Sequence, residues 1–252
     1  MIRKVGNRMK KNEEKGGQIE LFSLENSKEK KEKTRVTNKK VKELKQKDED
    51  EIKMSLHDFD LSKGKIVIGV DEAGRGPLAG NVVAAAAILK NYSSDLDEIN
   101  DSKKLTEKKR EKLFDVIMEH FYIGVGEATP QEIDDINILN ATFLAMRRAL
   151  ENLKKQCNTD HLVLVDGNFK IREYDGEQEF VIKGDAKSLS IAAASIIAKV
   201  TRDREMIEEG KKYPEYKFEK HKGYGTKLHK EKLLELGILP IHRKSFLNKI
   251  IK

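Results

Sequence analysis

Cysteine is nearly absent from these 252 residues: Cys157 stands alone. One thiol rules out an intramolecular disulfide and any cysteine-rich zinc site. Lying in a polar stretch after a helical pattern, it reads as a surface or half-buried thiol. Long apolar runs are missing too, and nothing approaches the ~20 residues of a membrane-spanning helix. The N-terminus is basic but lacks the apolar segment of a secretion signal, so a soluble cytoplasmic protein is expected. Large apolar side chains are scarce across residues 1–60, which hold 17 Lys/Arg and 13 Asp/Glu. Such a stretch cannot bury enough surface to offset its ordering entropy, and it reads as a disordered Lys/Glu-rich tail. Residues 61–252 carry the apolar runs and suffice for one domain with a sizeable core. The net charge of +7 permits a polyanionic partner without requiring one.

Within 61–252 the pattern is that of an α/β domain without internal repeats. Ile66 to Val70 form a β-branched run that stops at Asp71-Glu72, and His161 to Val165 form a second that stops at Asp166. Phe180 to Ile182 form a shorter strand leading to Asp185, while Val82 to Leu89 and Tyr122 to Ala128 supply further strands. Thr106 caps a predicted helix bearing Leu113, Phe114, Ile117 and Phe121, Pro130 opens another, and Ser188 to Glu209 read as a long alanine-rich helix. Strands early and helices later predict a mixed sheet.

Acids at strand ends are the first chemical clue, because ligands gather at the ends of the strands of an open α/β sheet. Carboxylates drawn together there repel unless a cation neutralises them, and hard oxygen donors suit Mg²⁺ or Mn²⁺. Two such ions ~3.5–4 Å apart can activate water and stabilise a leaving oxygen in phosphodiester hydrolysis. Each acid has a structural alternative as a turn residue, and Asp185 could simply serve the N-terminus of the following helix. Gly74-Arg75-Gly76 after the first strand can bring backbone N–H groups against a phosphate or sugar. It does not suit a dinucleotide fold, since Pro77 and a strand follow where that fingerprint needs a helix.

Six motifs in order resemble bacterial ribonuclease HII: Asp71-Glu72-Ala73-Gly74-Arg75-Gly76-Pro77-Leu78-Ala79-Gly80, Asp101 to Leu105, Val165 to Asn168, Lys183-Gly184-Asp185, Ala192 to Asp203, and His221-Lys222-Gly223-Tyr224-Gly225-Thr226. The likeness spans about Lys65 to Phe246. It implies an RNase H-like fold, with a central mixed β-sheet flanked by helices and a helical C-terminal part. It also implies endonucleolytic cleavage of RNA in RNA–DNA hybrids, including single ribonucleotides embedded in duplex DNA. Cleavage on the 5′ side of the ribonucleotide would leave 3′-hydroxyl and 5′-phosphate ends. By resemblance Asp71, Glu72, Asp166 and Asp185 are the catalytic and metal-holding acids, with Asp203 as the substitute should Asp185 prove structural.

The same resemblance has Gly74, Arg75 and Gly76 contact the ribose 2′-hydroxyl, the group that distinguishes RNA from DNA. Tyr224 would pack on the next deoxyribose, where an additional hydroxyl would clash with its ring. Lys103, Lys104, Lys187 and Lys222 would meet phosphates. Asn81 departs from the proline of many relatives and is expected to alter only the approach to the next strand. In the tail, Gln18-Ile19-Glu20-Leu21-Phe22 resembles the motif by which bacterial repair proteins bind the β sliding clamp, with Gln18, Leu21 and Phe22 as anchors. A monomer is expected. The alternatives are a ribonuclease HIII-like hybrid nuclease and a non-catalytic nucleic-acid-binding protein on the same scaffold.

Overall fold

Small residues decide how closely helices approach the sheet. Residues 54–99, 105–248 and 250 are described by a computed structural model; Gln18, Leu21, Phe22, Lys103 and Lys104 lie outside the described residues. The strands are β1 (Val67–Ala73), β2 (Val82–Leu89), β3 (Phe121–Ala128), β4 (Leu162–Asp166) and β5 (Gln178–Val181), ordered β3-β2-β1-β4-β5. β2 pairs antiparallel with both β1 and β3, whereas β4 runs parallel to β1 and to β5, so the sheet is mixed as expected.

Seven α-helices are described: α1 (Leu56–Leu61), α2 (Glu107–His120), α3 (Pro130–Lys154), α4 (Leu189–Lys212), α5 (Phe218–His221), α6 (Lys227–Leu236) and α7 (Lys244–Leu247). Alternate strand residues face opposite layers. Ile68, Val70, Ala84 and Ala86 pack with α3 residues such as Phe143 and Met146, while Ala85 and Ala87 pack with Ile117 of α2 and Ile196 of α4. With both faces covered, β2 is apolar throughout rather than alternating. At Gly124 and Gly126 a Cβ would lie 2.1 Å from the Ala149 carbonyl oxygen and 2.3 Å from that of Ala145. At Gly69 it would lie 2.1 Å from the Ser190 carbonyl carbon, so the first turn of α4 rests on β1 itself.

The ends of the elements follow local chemistry. Thr106 accepts from the Lys109 N–H and starts α2 as expected. α3 opens with a capping box between Thr129 and Glu132. It is broken at Asn137, whose φ of 66° leaves the helical region and whose Oδ1 caps the N–H groups of Leu139 and Asn140. The apolar spacing carried no sign of that break. β5 ends one residue earlier than expected, at Val181, because Lys183 adopts a left-handed conformation and turns the chain away; Ile182 is left exposed. α1 falls inside the stretch whose composition reads as tail. Its Asp60 is buried, and Asp60 Oδ2 accepts from the Ser190 N–H at 2.8 Å. Among the described residues, no helix is long and apolar enough to cross a membrane.

Candidate active site

Parallel pairing of β1 with β4 places Val70 beside Val165, so Asp71 and Asp166 sit side by side at the C-terminal ends of adjacent strands. Asp71 is 4% exposed and turns toward α4, where Ser195 bonds its carboxylate. It also accepts from the Glu72 N–H at 2.7 Å. Burial, followed by the charges of Glu72 and Asp166, holds the Asp71 carboxyl well above the usual carboxylate range. These three acids therefore share one electrostatic environment.

The fourth arrives through β5. After Lys183 the chain makes a short 3-10 turn, Gly184–Ala186, carrying buried Asp185. The Gly184 N–H donates to Asp166 Oδ1 at 2.6 Å and ties that turn to the end of β4. Asp185 is not the cap of α4. Ser188 takes that position and accepts from the Ile191 N–H, with the Asp60 carboxylate alongside. Asp203, the substitute, is instead paired with Lys199 at 2.6 Å on α4.

These donors are all carboxylate oxygens, the set that Mg²⁺ and Mn²⁺ prefer. A cation among them would also offset the burial and the repulsion that together raise the Asp71 pKa. The residues thus fit a divalent metal. Among the described residues, no three His, Cys, Asp or Glu side chains close into a preformed cage, and like charges resist such closure.

Directly after these acids the glycine loop is held from below by two arginines that sequence reasoning missed. Arg243 is fully buried, and its guanidinium donates to the carbonyl oxygens of Gly74, Arg75, Pro77, Gly80 and Asn81 at 2.6–3.1 Å. Arg202, from α4, donates to those of Ala79 and Asn81. In a planar trans peptide the C=O and the following N–H point in opposite directions. Drawing the Gly74 and Arg75 carbonyls inward therefore turns the Arg75 and Gly76 N–H groups away from Arg243. Gly74 has φ +91°, and a Cβ there would lie 2.1 Å from Arg202 Nε, whereas one at Gly76 would meet open space. Burial, then the neighbouring Arg202, lowers the Arg243 pKa to about 9, which leaves it cationic at neutral pH.

The remaining residues occupy distinct places. The Arg75 side chain is exposed and pairs with Glu72 at 3.3 Å. Lys187 is exposed just beyond the Asp185 turn. Lys222 donates to the Glu219 carbonyl oxygen at 2.6 Å. Tyr224 is 42% exposed, and its ring lies 5.7 Å from the Arg202 guanidinium carbon. Asn81 does more than lead into β2. Its amide donates to Glu127 at 2.7 Å and reaches Glu205 at 3.5 Å, where burial and then the Glu127 carboxylate push the Glu205 pKa up to about 8. Arg202 lies within the Ala192 to Asp203 motif but nothing there gives it a role, and no local signal marks Arg243, because a lone arginine reads by default as a surface charge.

The Ribonuclease HII family pattern matches residues 68–249. Ribonuclease HII of Fusobacterium nucleatum is 65% identical over 199 residues, 78% of this chain and 92% of its own length. The crystal structure of ribonuclease H2 from Pyrococcus horikoshii OT3 is similar at 33% identity and a TM-score of 0.60, covering 73% of this chain and 96% of that one. Ribonuclease HII of Archaeoglobus fulgidus, solved in complex with PCNA, is similar at 25% identity and a TM-score of 0.58, covering 71% of this chain and 94% of that one. The ribonuclease HIII and non-catalytic alternatives give way to this match. The chain belongs to the ribonuclease HII family, metal-dependent endoribonucleases that act on RNA–DNA hybrids.

Proposed function

We propose that this chain cleaves on the 5′ side of a ribonucleotide, both in hybrids and where one ribonucleotide is embedded in duplex DNA, leaving 3′-hydroxyl and 5′-phosphate ends. The observation that supports it is the adjacency of Asp71 and Asp166, followed immediately by the Gly74–Gly76 loop with its N–H groups turned outward. Asp71, Glu72, Asp166 and Asp185 would hold two divalent ions, Mg²⁺ or Mn²⁺. Such ions supply the positive charge that polarises the scissile phosphate and activates water. Water oxygen would bond to phosphorus, giving up a proton to solvent, as the bond to the 3′ oxygen breaks, and that oxygen would take up a proton to leave as the 3′-hydroxyl.

Gly74, Arg75 and Gly76 would meet the 2′-hydroxyl of the ribonucleotide and Tyr224 the deoxyribose that follows it. Lys103, Lys104, Lys187 and Lys222 would contact phosphates and fix register without reading sequence. A duplex with one ribonucleotide tests the assignment. With Mg²⁺ it should give a single cut 5′ to the ribonucleotide, and no cut with chelator; a cut on the 3′ side, or 2′,3′-cyclic ends, overturns it.

Gln18-Ile19-Glu20-Leu21-Phe22 would dock on the β sliding clamp, adding effective concentration at replicated DNA. The complex of the Archaeoglobus relative with PCNA supports a clamp as partner. Leu21→Ala with Phe22→Ala should remove binding of the full chain to purified clamp while hybrid cleavage persists; undiminished binding ends this reading.

A further inference from the structure

Beside the Tyr224 loop lie three buried histidines that the hydrolytic chemistry does not use: His221, His229 and His242. His221 and His229 stack with ring centroids 4.3 Å apart, and His229 Nε2 faces His242 Nε2 at 3.0 Å. Their hydrogen bonds fix where the protons sit. The Leu239 N–H donates to His242 Nδ1 at 2.8 Å, so the proton of neutral His242 is on Nε2. Across the 3.0 Å contact only one nitrogen can carry a proton, so His229 Nε2 accepts and His229 carries its own on Nδ1. That atom faces the Tyr224 carbonyl oxygen at 3.0 Å, which can only accept. The two ends of the chain demand the same tautomers independently.

The His242 end is anchored to the glycine loop. Ala79 and His242 form an antiparallel bridge, the Gly80 N–H donates to the Ile241 carbonyl, and the Arg243 N–H donates to that of Leu78. Gly223, just before Tyr224, accepts from the Leu78 N–H, and a Cβ there would lie 2.5 Å from the Ala79 carbonyl oxygen. The loop that would meet the ribose and the tyrosine that would meet the next sugar are therefore joined by one line of directed bonds. We propose that the His242–His229 relay is a positioning device that sets the spacing between the glycine loop and Tyr224, and so determines preference for an RNA-to-DNA junction over a continuous hybrid.

This deepens the function proposed above and rests on its assignment of Tyr224. A doubly protonated His229 would set two N–H groups against each other, so the relay requires neutral rings. Burial supplies that condition by lowering both rings to about 4. The titratable groups facing them are few: His221 in the stack, with Glu219 and Lys222 acting on it, and Tyr216, whose ring lies 5.6 Å from that of His242.

Nitrogen-15 NMR of the full chain should find His229 protonated on Nδ1, His242 on Nε2, and a coupling between the two Nε2 atoms. A His229 protonated on Nε2, or no coupling, overturns the relay. Two variants divide its bonds. In His229→Asn the amide can still donate to the Tyr224 carbonyl, whereas in His229→Gln it reaches only toward His242. Each variant severs one half of the relay, so the kcat/KM ratio of the single-ribonucleotide duplex to a long hybrid should fall about tenfold in both, and a ratio within about twofold of the parent's in either one overturns the proposal. A merely weakened fold would lower both substrates together and leave the ratio unmoved, which also overturns the proposal. Tyr224→Ala separates the two levels: a lowered ratio there with an unchanged one in His229→Gln sinks the relay alone, whereas an unchanged ratio in Tyr224→Ala sinks the tyrosine assignment beneath it.

Discussion

Asp71→Asn is expected to abolish cleavage and, at neutral pH, to raise the melting temperature. The loss follows from removing a central carboxylate among the proposed metal ligands. Several kcal/mol of charge stabilisation in the transition state corresponds to ~10³-fold or more in rate. The gain in stability follows from the raised Asp71 carboxyl, whose burial and acidic neighbours oppose its ionisation. A carboxyl with a raised folded-state pKa contributes stability that is fully present below its unfolded value and lost as pH rises through the folded value. At pH 7.5 the charged form is therefore a net cost to the folded state. Asparagine removes that cost, and the difference in Tm should vanish at pH 3 to 4. Added Mg²⁺ should raise the Tm of the parent and not of the variant, because only a folded state that binds the ion is stabilised by it. A variant that melts lower at pH 7.5, or that still cuts at near-parental rate, would remove Asp71 from the centre of the site.

Arg243→Ala should produce the largest loss of stability of any single substitution discussed. The buried carbonyls of Gly74, Pro77 and Gly80 and the partly buried one of Arg75 lose the Arg243 donor, while that of Asn81 keeps its bond from Arg202. Each buried acceptor left unsatisfied costs about 1–3 kcal/mol, and several are lost together. Activity should fall further than stability alone dictates, since a displacement of ~1 Å in a substrate-holding loop can cost ~10²-fold. Arg243→Lys should recover only part of either loss. An ammonium offers three donors from one point, not a planar fork reaching several carbonyls at once. Denaturant unfolding and single-turnover cleavage at a temperature where the variants remain folded check both halves. Parental stability in Arg243→Ala would mean that the loop holds its shape without the guanidinium.

What could be read from the residues, and what could not, divides along the range of the interactions. β1, β4 and α4 were legible because each is a run of neighbours with a clear period. Asp71, Glu72 and Asp166 were legible because they stop such runs. Asp185 was ambiguous in isolation, since an acid three residues before a helix serves equally well as a cap; Ser188 and Asp60 supply the caps that release it. The Arg243 clamp and the histidine relay were invisible for a common reason. Their partners are main-chain carbonyls 162–169 positions away or rings on another segment, and main-chain atoms leave no mark in a sequence. Asn137 was missed differently: its side chain does locally what a cap does, inside a run whose spacing looked continuous.

Asp60 also fixes where this protein begins in a practical sense. Composition draws the line after residue 60, but the carboxylate at that position accepts from the main chain at the opening of α4, the helix that presses on Gly69 and carries Arg202. A shortened form starting at Leu61 would leave that first turn without its outside partner and strip a cover from the layer behind the acids. Trimming should therefore stop ahead of Ser55, whose hydroxyl starts α1.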